Sequence, residues 1–200
     1  PDARGQVFRF EKPSREILKK LVTDVAKKEG ATIAPAGAEL VALMGGGSFR
    51  YTLGILQKVL TVSSGESLSE DEVAKVVGAP QANTLNGFLS SLAAKNISDA
   101  LTIASEAVAS GIDAKTFLLL ALNKIRAILL LRYAPKMEEA LSLQFGPDDT
   151  AFLKTLAGKE GSSINSNLLS ELISAFIEQN RAPEPLLPVE LALYRVFEAD

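Results

Sequence analysis

"TFLLLALNKIRAILLLRYAP", Thr116 to Pro135, is the most apolar run in a chain of 200 residues, and the reading given to it decides the fold. Twenty residues are enough to cross a bilayer as a helix. Asn123, Lys124 and Arg126, however, stand at its middle, where charges in hydrocarbon are costly. A helix apolar nearly all round, with charges at its waist, is one buried in the core of a protein. The expectation is therefore a central buried helix from about Asp113 to Tyr133. Phe117, Leu120, Ile125, Ile128 and Leu131 are candidates either for the domain core or for contact with a partner protein, and are assigned to the core.

Helical spacing continues on both sides. Downstream, helices are expected from Asp148 to Leu156, from Asn165 to Gln179, and from Pro188 through Phe197. Upstream they run from Gln81 to Ala94 and from Ile97 to Ser110. Nearer the N-terminus, a short extended stretch "QVFRF" precedes Pro13 and Ser14. These mark a helix with Ile17, Leu18, Leu21, Val22, Val25 and Ala26 at helical spacing, stopped by Gly30. A second short helix runs from Pro35 to Met44. Ser48 is placed to cap a third that carries Phe49, Leu53, Leu56, Val59 and Leu60. Ser69 with Glu72 three residues on makes a capping box for a fourth. "GAPQAN", Gly78 to Asn83, is the best internal boundary. The fold class is all-α, in two helical bundles, a small one over 13–78 and a larger one over 79–200.

Composition narrows the chemistry. The formal net charge is -3, hydrophobic residues make up 47%, and there is no cysteine or histidine. Thiol nucleophiles, disulfides, imidazole bases and nearly every zinc or haem site are excluded by inventory, so no metal site is expected. Lys19, Lys20, Lys27 and Lys28 read as a solvated helix face. The pairs Asp148 with Asp149 and Glu138 with Glu139 are adjacent, point in different directions on a helix, and read as solvated charges. With no signal peptide visible, a cytoplasmic location is expected and no membrane contact.

One residue resists a purely structural reading. In "GGGSFRYTLGILQKVL", Gly45 to Leu60, three glycines lead into a helix with Arg50 in its first turn, where the helix dipole disfavours a cation. A phosphate-cradling loop needs a lysine followed by serine or threonine after its last glycine, and none is present. A guanidinium beside the free N–H groups of a helix end does attract a multiply charged anion such as a nucleotide's terminal phosphate.

The same segment resembles the "GSxRDxLxLLxQ" stretch in the lid of the gamma/tau subunit of bacterial DNA polymerase III, an AAA+ clamp-loader family. "QVFRFEKPSREILKKLVTDVAKKEGATIAPAGAELVALM" is similar to that family's passage from ATPase core into lid. "VAKVVGAP" resembles its junction with the third domain. "SDALTIASEAVASGIDAKTFLLLALNKIRAILLLRYAP" and "LLPVELALYRVFE" resemble the collar-forming third domain.

The resemblance implies a fragment: residues 1–12 a remnant of the ATPase-core edge, 13–78 the AAA+ lid, and 79–200 the collar or oligomerisation domain. It implies no catalysis by the fragment itself, which lacks Walker motifs, within a parent that binds ATP with magnesium. It makes Arg50 the sensor 2 arginine that reaches nucleotide phosphate. Arg4 takes the place of the trans-acting arginine of the family's "SRC" element, although Ala3 and Gly5 replace its neighbours, and Tyr51 replaces the usual aspartate. The implied partners are other clamp-loader subunits (gamma/tau, delta, delta-prime) through the collar, and the sliding clamp and primed DNA through the intact complex. A non-hydrolysing delta-prime-type subunit and an unrelated helical adaptor are the alternatives.

Overall fold

The computed structural model describes residues 11–62 and 67–198. The extended reading of "QVFRF" and the position of Arg4 lie outside them. Among the described residues there are eleven α-helices, two 3-10 turns and one parallel pair of two-residue strands, so the chain is all-α.

The first group of helices is built on strong local signals. α1 (Arg15–Lys28) starts at Ser14, whose hydroxyl accepts the Ile17 N–H at 3.3 Å. It buries Leu18, Val22 and Ala26, a stripe at i, i+4 and i+8. β1 (Thr32–Ile33) runs parallel to β2 (Ser67–Leu68), with Thr32 opposite Ser67. α2 (Pro35–Met44) lies in the middle of the group and buries every residue from Gly37 to Leu43. α3 (Phe49–Val62) and α4 (Glu70–Val77) pack on it, α4 with the expected Ser69–Glu72 capping box. Gly78, in the left-handed conformation at φ +69°, ends α4.

The second group comprises α5 (Ala82–Ala93), α6 (Ile97–Ala109), α7 (Ala114–Tyr133), α8 (Glu138–Phe145), α9 (Pro147–Ala157), α10 (Ser166–Glu178) and α11 (Leu187–Glu198). α7 is its axis, touched by α5, α6, α9 and α10. Phe117, Leu120, Ile125, Ile128 and Leu131 are all buried. Phe117 meets Phe88 of α5 edge to face at 5.1 Å. At the far end of α7, Arg132 donates to the carbonyls of Leu156, Ala157 and Ile164, fastening the end of α9 to the axis. Among the described residues no helix is long and apolar enough to cross a membrane.

The structure departs from the sequence reading at two charged side chains, Asp149 and Lys19. Lys124 is only 4% exposed. Its ammonium lies 2.7 Å from Asp149 Oδ2 and donates to Asn86 Oδ1 at 3.0 Å. Asp149 is therefore a nearly buried ion-pair partner rather than a solvated charge. Its place in the first turn of α9 also suits a carboxylate. Lys19 is half-buried and bonded across to α8, so the lysines of α1 do not form a uniformly solvated face. Helix α8 itself was not expected.

Candidate functional site at the start of α3

The end of α2 and the start of α3 are held at very short range. A Cβ added to Gly45 would lie 1.9 Å from Thr52 Oγ1, so only glycine allows α2 to end against this turn of α3. Thr52 is fully buried, and its hydroxyl donates to the Ser48 carbonyl at 2.8 Å. Gly46 and Gly47 turn the chain at φ +59° and +83°, values that L side chains rarely adopt. Ser48 then caps α3 as expected, its hydroxyl accepting the Tyr51 N–H at 3.3 Å.

This anchoring leaves the outer side of the first turn open. Arg50 is exposed and makes no hydrogen bond or ion pair with the described residues. The first N–H groups of the helix lack intrahelical partners, as at any helix start. Phe49, Tyr51 and Leu53 of the same helix are exposed apolar side chains as well, Tyr51 being 73% exposed. The stem of Lys12 passes 3.7 Å from where a Gly47 Cβ would stand. A second basic side chain thus reaches the glycine run, one that sequence reasoning did not single out. No local pattern could have found it, because the contact joins residues 35 apart in the chain. The arrangement can bind an anion: a guanidinium without a partner among the described residues, beside a helix N-terminus whose direction is set by packing underneath. It offers no base or nucleophile. Arg50 is brought beside the glycines and Ser48 as the sequence implied, while Arg4 lies outside the described residues.

The chain is 32% identical over 88 residues to the Replication factor C small subunit of Thermoplasma volcanium, covering 44% of this chain and 27% of that protein. It is 24% identical over 104 residues to Replication factor C subunit 4 of Encephalitozoon cuniculi, covering 52% and 33%. With the DNA polymerase III subunit gamma/tau of Mycoplasma genitalium it shares 25% identity over 116 residues, covering 58% and 19%. The chain thus spans a third or less of the length of these relatives. Among solved structures, a Bacillus subtilis DNA clamp loader delta protein superimposes with a TM-score of 0.48 and 17% identity, over 94% of this chain and 57% of that one. The family model for DNA polymerase III subunits gamma and tau domain III matches residues 68–200, well over half of the sequence, and the chain belongs to that family.

Proposed function

We propose that this chain supplies the lid and collar of a clamp-loader subunit of the gamma/tau type, acting in the loading of a sliding clamp during DNA replication. Residues 13–78 form the lid, 79–200 the collar, and 1–12 the edge of an ATPase core. The observation that carries the reading is Arg50, exposed and without a partner among the described residues, on a helix start fastened by the Gly45–Thr52 approach. A cation held in that way is available to a phosphate presented by another domain.

ATP with magnesium fits these residues in part. Arg50 and the α3 N-terminus provide donors for one phosphate group, and the sequence has no lysine-containing loop to cradle the others. The nucleotide would be held mainly by an ATPase domain preceding the lid, with Arg50 as its sensor. The fragment is no ATPase on its own. Its collar would bind gamma/tau, delta and delta-prime subunits, and through them the cytoplasmic assembly would reach clamp and primed DNA.

The test is Arg50→Ala in the full-length parent. Loss of one charge-assisted hydrogen-bonding group costs about 1.5–3 kcal/mol, equivalent to about 10- to 150-fold in ATP-dependent clamp loading. The melting temperature should not change, because the side chain is exposed. Unchanged loading, or a collapsed melting temperature, would remove Arg50 from the sensor role. A Walker lysine in the preceding domain separates the gamma/tau reading from the delta-prime one.

A further inference from the structure

The seam between α1–α4 and α5–α11 sets a cluster of charge beside apolar packing, in which Leu40 and Leu43 of α2 lie near Leu85, Leu120 and Phe145. Glu39, on the otherwise apolar helix α2, is only 6% exposed. Arg15 Nη1 lies 3.3 Å from its Oε1, and Lys19 Nζ 3.8 Å from its Oε2. Both cations belong to α1 and both also reach across the seam. Arg15 Nη1 donates to Asn123 Oδ1 of α7 at 2.8 Å. Lys19 Nζ donates to the last carbonyls of α8, those of Leu143 and of Gln144, the latter at 3.1 Å. Behind them the seam is not filled: a cavity of about 30 Å3 is lined by Glu39, Glu70, Asn123, Lys124 and Gln144 together with apolar side chains of α2, α5 and α7. That is room for a water molecule.

Such a cluster is a poor source of stability. Burial pushes the Glu39 carboxyl up, against the pull of Arg15 and Lys19. Burial likewise brings the Lys19 ammonium down, against the pull of Glu39. Both groups are drawn toward their neutral forms, so desolvation outweighs the mutual attraction, and a well-packed apolar seam would hold at least as firmly. What charge supplies and apolar packing does not is direction: the carboxylate aims two long side chains at particular acceptors on α7 and α8.

We propose that Glu39 is a positioning residue for the seam, a lock that fixes the angle of the first bundle on the second by orienting Arg15 and Lys19 onto α7 and α8. Neutralising it frees the first bundle to swing about the Gly78–Pro80 connection while both bundles stay folded. The lock does not depend on the clamp-loader reading, since every group in it lies within the chain.

The absence of native cysteine allows spin labels at Lys58→Cys on α3 and Ser170→Cys on α10, both exposed. Distances between them are read by pulsed electron resonance in the whole chain, with far-ultraviolet circular dichroism as a check on folding. The unmodified seam should give one narrow distribution. Glu39→Gln should add a second population of about 10% or more, the scale on which two accessible states become visible, with helicity unchanged. Asn123→Ala cuts the crossing of Arg15 and leaves the Glu39 cluster intact, so it tests the lock even if Glu39→Gln fails to fold. Broadening in Asn123→Ala supports the lock. A distribution as narrow as the parent's in Asn123→Ala, or in a folded Glu39→Gln, overturns it.

Discussion

At the scale of single residues, Gly45 illustrates how a packing requirement at one glycine sets the direction of the following helix. The 1.9 Å approach to Thr52 Oγ1 cannot accept a methyl group unless α2 and α3 move apart. Overpacking of this kind costs about 1–3 kcal/mol, and in a chain of this size each kcal/mol is worth about 2–4 °C of melting temperature. Gly45→Ala should therefore lower the melting temperature by several degrees, and Thr52→Ala made with it should recover part of the loss by deleting the clashing oxygen. Because the same contact sets the direction of α3, the role proposed for Arg50 has a second consequence: Gly45→Ala in the full-length parent should also weaken clamp loading, though Arg50 is untouched. A melting temperature equal to the parent's would show that the two helices separate freely, and the anchoring assigned to Gly45 would be lost.

Among the elements, α7 carries the strongest dependence on a single pair. Lys124 ties α7 to α9 through Asp149 and to α5 through Asn86, and the three polar groups sit where the helices are otherwise apolar. Lys124→Met leaves Asp149 without its cation in a nearly buried site, and breaking a buried pair from one side costs about 3–5 kcal/mol. Replacing both, as Lys124→Met with Asp149→Leu, should restore most of that stability. Urea unfolding of the two variants measures the difference. Equal losses in the single and double variants would mean that the site admits enough water to keep Asp149 charged. The same helix shows what was legible beforehand. Its burial followed from an apolar run with charges at the waist, and its start from Asp113, whose carboxylate accepts the Thr116 N–H at 2.8 Å. The starts at Ser14, Ser48 and Ser69 and the stop at Gly78 were legible for the same reason: a cap is a contact within three or four residues. Helix α8 was not. It follows a 3-10 turn at Pro135–Met137, has no side-chain cap, and gains its buried face from the adjoining α9 and from α2, which is distant in sequence. The β1–β2 pair joins residues 35 apart, and the Lys124–Asp149 partnership 25 apart. The start of α3, with Arg50 and its glycines, was visible because it is a local motif. Glu39 was not, because its partners come from α1 and its consequences fall on α7 and α8.

At the scale of the whole molecule, the ion pairs of Glu39 and Lys124 sort themselves by bundle among the described residues. Glu39 is held by Arg15 and Lys19, all in α1–α4, while Lys124, Asp149 and Asn86 belong to α5–α11. Of the bonds named here, only Arg15 to Asn123 and Lys19 to the end of α8 join the two, with α2 against α8 the most extensive helix contact across the seam. A cut within "GAPQAN" therefore breaks few hydrogen bonds and leaves the Glu39 and Lys124 ion pairs whole, although it parts the half-buried Glu70 of α4 from the Lys124 charge that attracts it. The segment 79–200 keeps α7 and the helices packed on it, and should fold alone with a cooperative melt and helicity close to that it has in the whole chain. The segment before the cut loses more in proportion. Leu40 and Leu43 of α2 lose the cover of the second bundle, and a unit of this size buries too little surface to spare it. Its melting temperature should lie below that of 79–200 and rise when the two are mixed. Circular dichroism melts of each segment and of the mixture make the comparison. A non-cooperative melt of 79–200 would mean that α8 and the axis need α2 to fold, and that the boundary at Gly78 divides one structural unit.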